Sequence, residues 1–398
     1  IMNMDYDDYL GRLSIGRVFE GRVTKNQDVV LVRGDHKEMH RITKIFGYSG
    51  MKRTEVDEAI AGDIVALTGI PDPMIGDTVC HEDHPNPRPP ILVDEPTVSM
   101  FFSVNDSPFA GKEGQYVTTR QLRERLIREK LTNVALRVIE DPERQDRFQV
   151  QGRGDLHLSI LVETMRREGY ELQVSRPEVI MRTENGQKLE PFDIVIIDLP
   201  EEYSGVVINE LNRRKGSMQG METSAHGTTR LEYIVPTRGL IGFRSFLITE
   251  SRGSAAQNSR FLHYAPYAGP IPGRKNGALV SMEAGTTVAF ALWNIQERGS
   301  LFVDPGIPVY GGMIIGECAR EQDLDVNPAK EKKLTNMRTT SADEAVRLVP
   351  PRKLSLEQSL EFIDDDELLE VTPKSLRLRK KLLDPNERKR HARLAGTT

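Results

Sequence analysis

The chain of 398 residues carries 54 Lys and Arg against 59 Asp and Glu, a formal net charge of −5 at pH 7, so any affinity for nucleic acid has to come from local basic clusters. Its two cysteines, Cys80 and Cys318, exclude a disulfide framework, and no apolar run approaches the ~20 residues of a membrane-spanning helix. At ~100–150 residues per domain, this length predicts three or four domains.

Residues 1–91 are predicted to form a small β-barrel, because short β-branched segments alternate with glycine. The predicted strands are Leu13–Val23, Asp28–Arg33, His40–Phe46, Thr54–Val56 and Asp63–Thr68. Pro85–Pro90 is proline-rich and is expected to be a stiff connector. Cys80–His84 contains thiol and imidazole groups, but a zinc site needs a second, spaced ligand pair, and none is nearby. We therefore predict no metal site, and a metalloenzyme using Cys80, His81 and His84 is kept only as an alternative.

Residues 92–178 are predicted to form a βαββαβ unit. Its predicted strands are Val98–Val104, Leu136–Glu140, Arg147–Gln151 and Tyr170–Val174, and its helices are Thr118–Leu131 and Asp155–Glu168. Leu122, Leu126 and Ile127 are expected to face inward from the first helix.

Residues 179–264 repeat this plan without an obvious sequence repeat. Phe192–Leu199 alternates as a strand, and Pro200-Glu201-Glu202 opens a helix whose apolar stripe is Tyr203, Val207 and Leu211. The later predicted elements are strands Ser217–Thr223 and Thr228–Val235, a helix over Leu240–Glu250 and strand Ala255–Phe261. Both units therefore follow the split βαβ, ferredoxin-like plan.

Residues 265–398 are predicted to be mainly β, so the fold class is multi-domain α+β. The predicted strands are Gly277–Ala284, Thr286–Asn294, Gly299–Val303 and Val309–Glu317, and Ser355 caps a helix that runs to Ile363. Lys374–Arg393 has nine Lys or Arg against two acids. This basic segment is either a surface helix pairing with the acids of Glu361–Glu370 or a surface that faces RNA.

Several phrases resemble parts of known translation factors. The domain near the C-terminus of elongation factor G is resembled by four segments, Glu190-Pro191, Pro200–Gly205, Leu211–Gly216 and Gly220–Glu222. A further segment, Gly152–Leu158, resembles the GxGELHL motif of the third domain of that factor, with Asp155 in place of Glu. The β-barrel that follows the G domain in translational GTPases is resembled by Tyr9–Leu13 and Glu58–Val65. The terminal domain of the BipA (TypA) family is resembled by Tyr267–Gly277, Lys332–Arg338 and Thr372–Lys381. The chain is therefore identified by resemblance as a member of that family.

The resemblance implies a cytoplasmic, monomeric, ribosome-binding protein that is not attached to a membrane. It implies contacts with large- and small-subunit rRNA and the tRNA acceptor end, in translation, ribosome assembly or stress adaptation. The chain contains neither GxxxxGK[ST] nor NKxD, so we expect a C-terminal fragment without the G domain and without catalytic residues. GTP and magnesium are expected only in that missing domain.

Three basic clusters are the candidate RNA contacts. The full set is Lys330, Lys332, Lys333 and Arg338 in a polar loop, Arg213, Arg214 and Lys215 at a helix end, and Arg274, Lys275, Lys380 and Lys381 in the terminal domain. The helix-end cations could instead satisfy C-terminal carbonyls, and the polar loop could simply be solvated. The alternative function is a protein-interaction regulatory module without direct RNA contact.

Overall fold

The computed structural model describes residues 1–7, 9–50, 52–91, 95–225, 227–271, 273–331 and 347–395. The chain divides into two units, one made of residues 1–96 and 123–139 and the other of residues 97–122 and 140–398. Among the described helices, none combines the length and apolar character needed to cross a bilayer.

Residues 1–96 of the first unit form short antiparallel strands with one main apolar core and two smaller buried clusters. The strands of residues 1–96 are β1 (Asn3–Asp7), β2 (Gly11–Arg17), β3 (Arg22–Thr24), β4 (Asp28–Arg33), β5 (His36–Arg41), β6 (Ile45–Ser49), β7 (Lys52–Val56), β8 (Glu58–Ile60), β9 (Ile64–Leu67) and β10 (Thr78–His81). They form sheets in the orders β1-β2-β9-β6-β7, β10-β4-β5 and β3-β8. Leu31, Ile42 and Ile45 belong to the shared core. The predicted strand Leu13–Val23 is wrong as a single element, because the chain turns between β2 and β3 at Gly21, where φ is 68°.

The second unit begins with β11, which pairs antiparallel with three later strands. The elements of residues 97–179 are β11 (Val98–Val104), α1 (Thr119–Thr132), β12 (Arg137–Glu140), β13 (Arg147–Gly152), α2 (Asp155–Arg167), β14 (Leu172–Val174) and β15 (Glu178–Val179). Most of α1 and of β12 falls within residues 123–139 and so belongs to the first unit. Phe102 of β11 lies opposite Phe148 of β13 and Val174 of β14. Ile127 is 48% exposed, so its predicted inward position is wrong. One residue beyond the buried Leu126, the helix has already turned by about 100°.

The next stretch forms the ferredoxin-like sheet predicted from the sequence. Its elements are β16 (Arg182–Glu184), β17 (Gln187–Pro200), α3 (Ser204–Arg213), β18 (Ser217–Thr223), β19 (Thr228–Pro236), α4 (Thr237–Leu240), α5 (Phe243–Glu250) and β20 (Ala256–Pro266). The antiparallel order is β20-β17-β19-β18, the split βαβ arrangement. Val207 and Leu211 of α3 pack in one core with Val195 and Ile197 of β17, as the predicted stripe requires.

The remaining elements add more strands and three helices. They are β21 (Ala278–Ser281), β22 (Gly285–Thr286), α6 (Ala289–Ile295), β23 (Gly299–Leu301), β24 (Pro308–Val309), β25 (Met313–Cys318), β26 (Leu324–Val326), α7 (Leu356–Phe362), β27 (Glu367–Val371), β28 (Leu376–Lys380) and α8 (Pro385–Ala395). The predicted strand Thr286–Asn294 is wrong, because most of it is helix α6. A short, continuous apolar run does not by itself distinguish a buried strand from a helix.

Strands from both ends of the second unit share one sheet. From β13 onward the order is β13-β11-β14-β27-β28-β25-β21-β26. At the β14–β27 junction Leu172 pairs with Val371 and Val174 with Leu369, and all four side chains are fully buried. Ser355 caps α7 as predicted, in a capping box with Gln358. The predicted α+β fold class is confirmed.

Candidate nucleic-acid interface

The basic end of helix α3 contains an ion pair between a half-exposed arginine, Arg213, and the largely buried Glu210. Arg213 donates two hydrogen bonds to Glu210, of 2.8 Å from Nε and 2.7 Å from Nη2, and its side chain is 49% exposed. Burial alone would raise the pKa of Glu210, but the hydrogen bonds from Arg213 and Arg214 outweigh burial and hold that pKa below its ordinary value. Arg213 thus keeps an accessible surface while its charge is partly neutralised.

Arg214 and Lys215 differ sharply although they are neighbours. Arg214 is largely buried, and its Nη1 donates to the carbonyls of Gly239 at 2.9 Å and Ile241 at 2.8 Å. It therefore caps the adjacent α4 segment rather than its own helix. Lys215 is exposed, with φ of 65°, at the point where the chain leaves α3. Of these two cations, only Lys215 has a side chain open to solvent.

The same contrast occurs at Arg274 and Lys275. Arg274 donates to both carboxylate oxygens of the fully buried Glu367, each at 2.8 Å, and to the Phe362 carbonyl at 2.8 Å. Its guanidinium also lies 4.3 Å from the centre of the Phe362 ring. Lys275 is exposed. Arg274 therefore anchors the loop that precedes β21 to Glu367 and Phe362, whereas the side chain of Lys275 remains accessible to a partner.

Lys380 is 1% exposed and lies inside a cluster of acids. Its Nζ is 2.5 Å from Asp323, 2.9 Å from Asp366 and 2.8 Å from Glu367. Burial would lower the pKa of Lys380, but these carboxylates outweigh burial and raise it. Lys381 is exposed and its Nζ donates to the Asp365 carbonyl.

The basic segment that begins at Lys374 is partly a strand, not only a surface helix. Strand β28 pairs antiparallel with the acidic strand β27, so that Glu367 lies opposite Lys380 and Glu370 opposite Arg377. The acids and bases of the two runs thus neutralise each other within the sheet. The predicted pairing of the acidic and basic runs is present, but between strands.

The polar loop that gave the strongest candidates is only partly described. Lys330 is exposed, while Lys332, Lys333 and Arg338 lie outside the described residues. RNA contact stays a prediction for all eleven cations. Among the eight that the structure describes, the side chains open to solvent are Arg213, Lys215, Lys275, Lys330 and Lys381.

The candidate metal loop has its side chains on different faces of strand β10. Cys80 is 8% exposed and packs with Val30 and Val32, whereas the neighbouring His81 is exposed. Successive strand residues point to opposite faces, so the thiol and this imidazole diverge. The His81 and His84 rings stack with centroids 6.3 Å apart.

Sequence reasoning missed a cavity of about 460 Å³ in the second unit, lined by both polar and apolar side chains. Asp155 of α2, Asp193 of β17 and Glu361 of α7 all line this cavity. Burial, followed by repulsion from Asp155, raises the pKa of Asp193 from its ordinary 3.8 to about 6. Burial also raises the pKa of Asp155. Asp193 sits at an inward position of an otherwise apolar alternation, which is the one signal that the sequence offered.

Models of known families match three parts of the chain. The TypA/BipA C-terminal domain matches residues 276–385, the elongation factor G C-terminus matches residues 187–275, and elongation factor Tu domain 2 matches residues 11–80.

Three curated relatives carry the name large ribosomal subunit assembly factor BipA. The Haemophilus influenzae protein is 50% identical over 400 residues, covering 100% of this chain and 65% of the relative. The Escherichia coli K12 protein is 50% identical over 98% of this chain and 64% of the relative, and the Bacillus subtilis protein is 48% identical over 99% and 64%. The chain thus spans slightly less than two thirds of the length of these relatives.

The matched domains and their order are those of a multidomain translation factor. Within the translation factors, two findings point to one family: the terminal domain matches the TypA/BipA model, and about half of the residues along the whole chain are identical to those of BipA proteins. The chain belongs to the BipA (TypA) family.

Proposed function

We propose that the chain is the ribosome-binding part of a translational GTPase that acts in the cytoplasm as a monomer, in translation, large-subunit assembly or stress adaptation. The identity of about 50% to proteins named large ribosomal subunit assembly factors, which extends over the whole chain, carries this proposal. GTP and magnesium would bind outside this chain, since it has no phosphate-cradle motif.

The proposed RNA contacts are rRNA and the acceptor end of A-site tRNA. The exposed cations Arg213, Lys215, Lys275, Lys330 and Lys381 support these contacts, because their side chains are not enclosed by the fold. Lys332, Lys333 and Arg338 are included from the sequence alone. A set of scattered cations would bind backbone phosphate and release counterions, so affinity would fall steeply with salt.

Co-sedimentation with 70S ribosomes and with separate subunits, over a series of salt concentrations, tests the proposal. We expect binding that weakens with salt, and weaker binding by a Lys330/Lys332/Lys333/Arg338→Ala variant. Lys37→Ala, at an exposed position of β5 outside the predicted set, is the matched control. Salt-insensitive binding that the fourfold variant retains in full would favour the protein-interaction alternative instead.

A further inference from the structure

One face of the ferredoxin-like sheet is open to solvent. Val195 and Ile197 of β17 pack in the core with helices α3 and α5, so the residues that alternate with them point to the opposite side of the sheet. On that opposite side Ile196 is 36% exposed, and Phe192 and Ile194 are half-buried. A covering layer of helices would bury these three side chains. We call the side of the sheet that bears them the open face.

Two aromatic rings stand side by side at one end of the open face. Phe192 of β17 lies opposite His263 of β20, and their rings are nearly parallel, inclined by 14° with centroids 6.2 Å apart. Among the described strands, β20 pairs only with β17, so the exposed His263 lies on an edge strand. Glu190, the next residue of this side along β17, is fully buried in an ion pair with Arg238. The outer side of the imidazole ring is therefore open to a further planar group that continues the stack.

Exposed cations flank the row of side chains next to these rings. Arg260 of β20 lies opposite Ile194, is exposed, and has no ion-pair partner in the part of the chain that the structure describes. The same row continues through Ile234 of β19 to Ser217 of β18. The exposed Lys215 comes two residues before Ser217. The row thus has an apolar middle and a cation near each end.

The acids of the open face lie towards its other end. Asp198 lies opposite Arg230 and accepts a hydrogen bond of 2.7 Å from its Nε, which neutralises both charges. Glu222 of β18 lies opposite Arg230 on its other side, and the half-buried Glu232 lies opposite Ile196. Charge on this face is therefore segregated along the strands, and the end that carries the rings is the cationic one.

An open ring stack beside unpaired cations fits the chemistry of single-stranded nucleic acid. Every base offers a planar face that extends an aromatic stack, and its phosphates attract Arg and Lys. In a double helix the base faces are covered by neighbouring base pairs, so only the phosphates would be recognised. Apolar side chains such as Ile194 and Ile234 supply a floor on which an unstacked base loses contact with water.

We propose that this end of the open face binds an unpaired segment of ribosomal RNA, with one base stacked on His263 and the adjoining phosphates against Arg260 and Lys215. This inference rests on the proposed function, because it assigns the ribosome contact of the ferredoxin-like domain to a particular surface. It adds base stacking to a set of contacts that otherwise involve phosphate alone.

Fluorescence titration of the whole chain with a single-stranded RNA hexanucleotide containing 2-aminopurine tests the stack, because the fluorescence of this base falls when it stacks on a ring. We expect quenching on binding, and weaker binding of the same sequence as a duplex. His263→Ala should weaken binding about fivefold or more and remove the quenching, whereas His263→Phe should keep both. His36→Ala, at an exposed position of β5, is the matched control.

The salt dependence of the same titration tests the cation. Arg260→Ala should weaken binding and reduce the slope of log affinity against log salt by about 0.7, the value for one phosphate contact on a single strand. The complex that still forms should remain quenched, because the rings are intact. Arg167→Ala, which removes an exposed arginine of α2, is the control and should leave the slope unchanged.

Probing of 70S ribosomes with dimethyl sulfate tests the source of the RNA. We expect unpaired bases of ribosomal RNA that the wild type protects and His263→Ala does not, and an identical protection pattern for the two proteins would overturn the proposal. Equal affinity and quenching in wild type and His263→Ala, or duplex binding as tight as single-strand binding, would also overturn it. If co-sedimentation with ribosomes persists in those cases, the proposed function stands and only this surface is wrong.

Discussion

Glu370 and Arg377 lie opposite each other on strands β27 and β28, and a hydrogen bond of 2.8 Å from Arg377 Nη1 to Glu370 Oε1 joins them inside the protein. Glu370 is fully buried and also accepts from Asn105 at 2.9 Å and from the Tyr310 hydroxyl at 2.9 Å. The other arm of Arg377 donates to Glu113. One guanidinium thus connects the terminal strands with the loop after β11.

Arg377→Ala is expected to destabilise the chain by about 3–5 kcal/mol, because it leaves a buried Glu370 carboxylate uncompensated. Arg213→Ala is the control, since Arg213 is half-exposed and Glu210 keeps its bond to Arg214, so the loss should be only about 0.2–1 kcal/mol. Chemical denaturation followed by circular dichroism measures both. Losses of similar size would contradict the structural role of Arg377.

The sequence predicted the helices and strands of the second unit better than the burial and the ion-pair partners of its charged residues. Strand Val98–Val104 is predicted with its observed bounds, and the α3 stripe of Val207 and Leu211 is buried as expected. These signals are local, since they depend on alternation and on helical spacing. The sequence of the basic segment gave no such local signal, because the acids that enclose Lys380 include Asp323, far away along the chain.

The exposure of the candidate RNA-binding cations also could not be predicted from the sequence, because it depends on residues far away along the chain. Arg213, Arg214 and Lys215 form one cluster in the sequence, yet Arg214 caps carbonyls near residues 239–241 while Lys215 stays exposed. Helix α6 was missed because its short apolar run is equally consistent with a buried strand, and its burial against Leu279 and Ile315 depends on residues outside the segment. The cavity around Asp193 requires three separate elements and could not be assembled from one segment.

Two glycine-to-alanine substitutions should change the free energy of unfolding in opposite directions. At Gly299 a Cβ would lie 1.9 Å from the Glu317 carbonyl oxygen on the neighbouring strand, so Gly299→Ala should destabilise by about 1–3 kcal/mol. At Gly205, in α3, a Cβ meets nothing within 4 Å, and Gly205→Ala should stabilise by about 0.4–1 kcal/mol. Denaturation midpoints of both variants check this. A destabilising Gly205→Ala would show that the space beside α3 is occupied.

The pH dependence of stability should report on Asp193. Its folded pKa of about 6 lies above the ordinary 3.8, so its protonated form is favoured by folding. The stability that this proton contributes is complete below about pH 3.8 and is lost as the pH rises through about 6. Asp193→Asn should therefore raise the free energy of unfolding at pH 8 by about 1–3 kcal/mol, given about 1.4 kcal/mol per unit of pKa.

Asp198→Asn is the control of opposite sign for this experiment. The hydrogen bond from Arg230, at 2.7 Å, lowers the pKa of Asp198, so folding favours the ionised form of this carboxyl group. The stability that this ionised group contributes to the fold is therefore present at pH 8. This variant should lose a little stability at pH 8. Unfolding curves at pH 5 and pH 8 compare the two, and an Asp193→Asn gain that is the same at both values would exclude titration of this carboxyl group as its cause.

The adjacent residues Lys380 and Lys381 provide a test that separates folding from RNA binding. Lys380→Met should destabilise by about 1.5–3 kcal/mol, because buried Glu367 loses one charged hydrogen bond although Arg274 still pairs with it. Lys381→Ala should leave stability nearly unchanged, since its side chain is exposed. If Lys381 contacts a phosphate, the slope of log affinity against log salt should fall by about 0.7–0.9 in ribosome binding. An unchanged slope would remove Lys381 from the proposed interface, while the effect of Lys380→Met on unfolding would still stand.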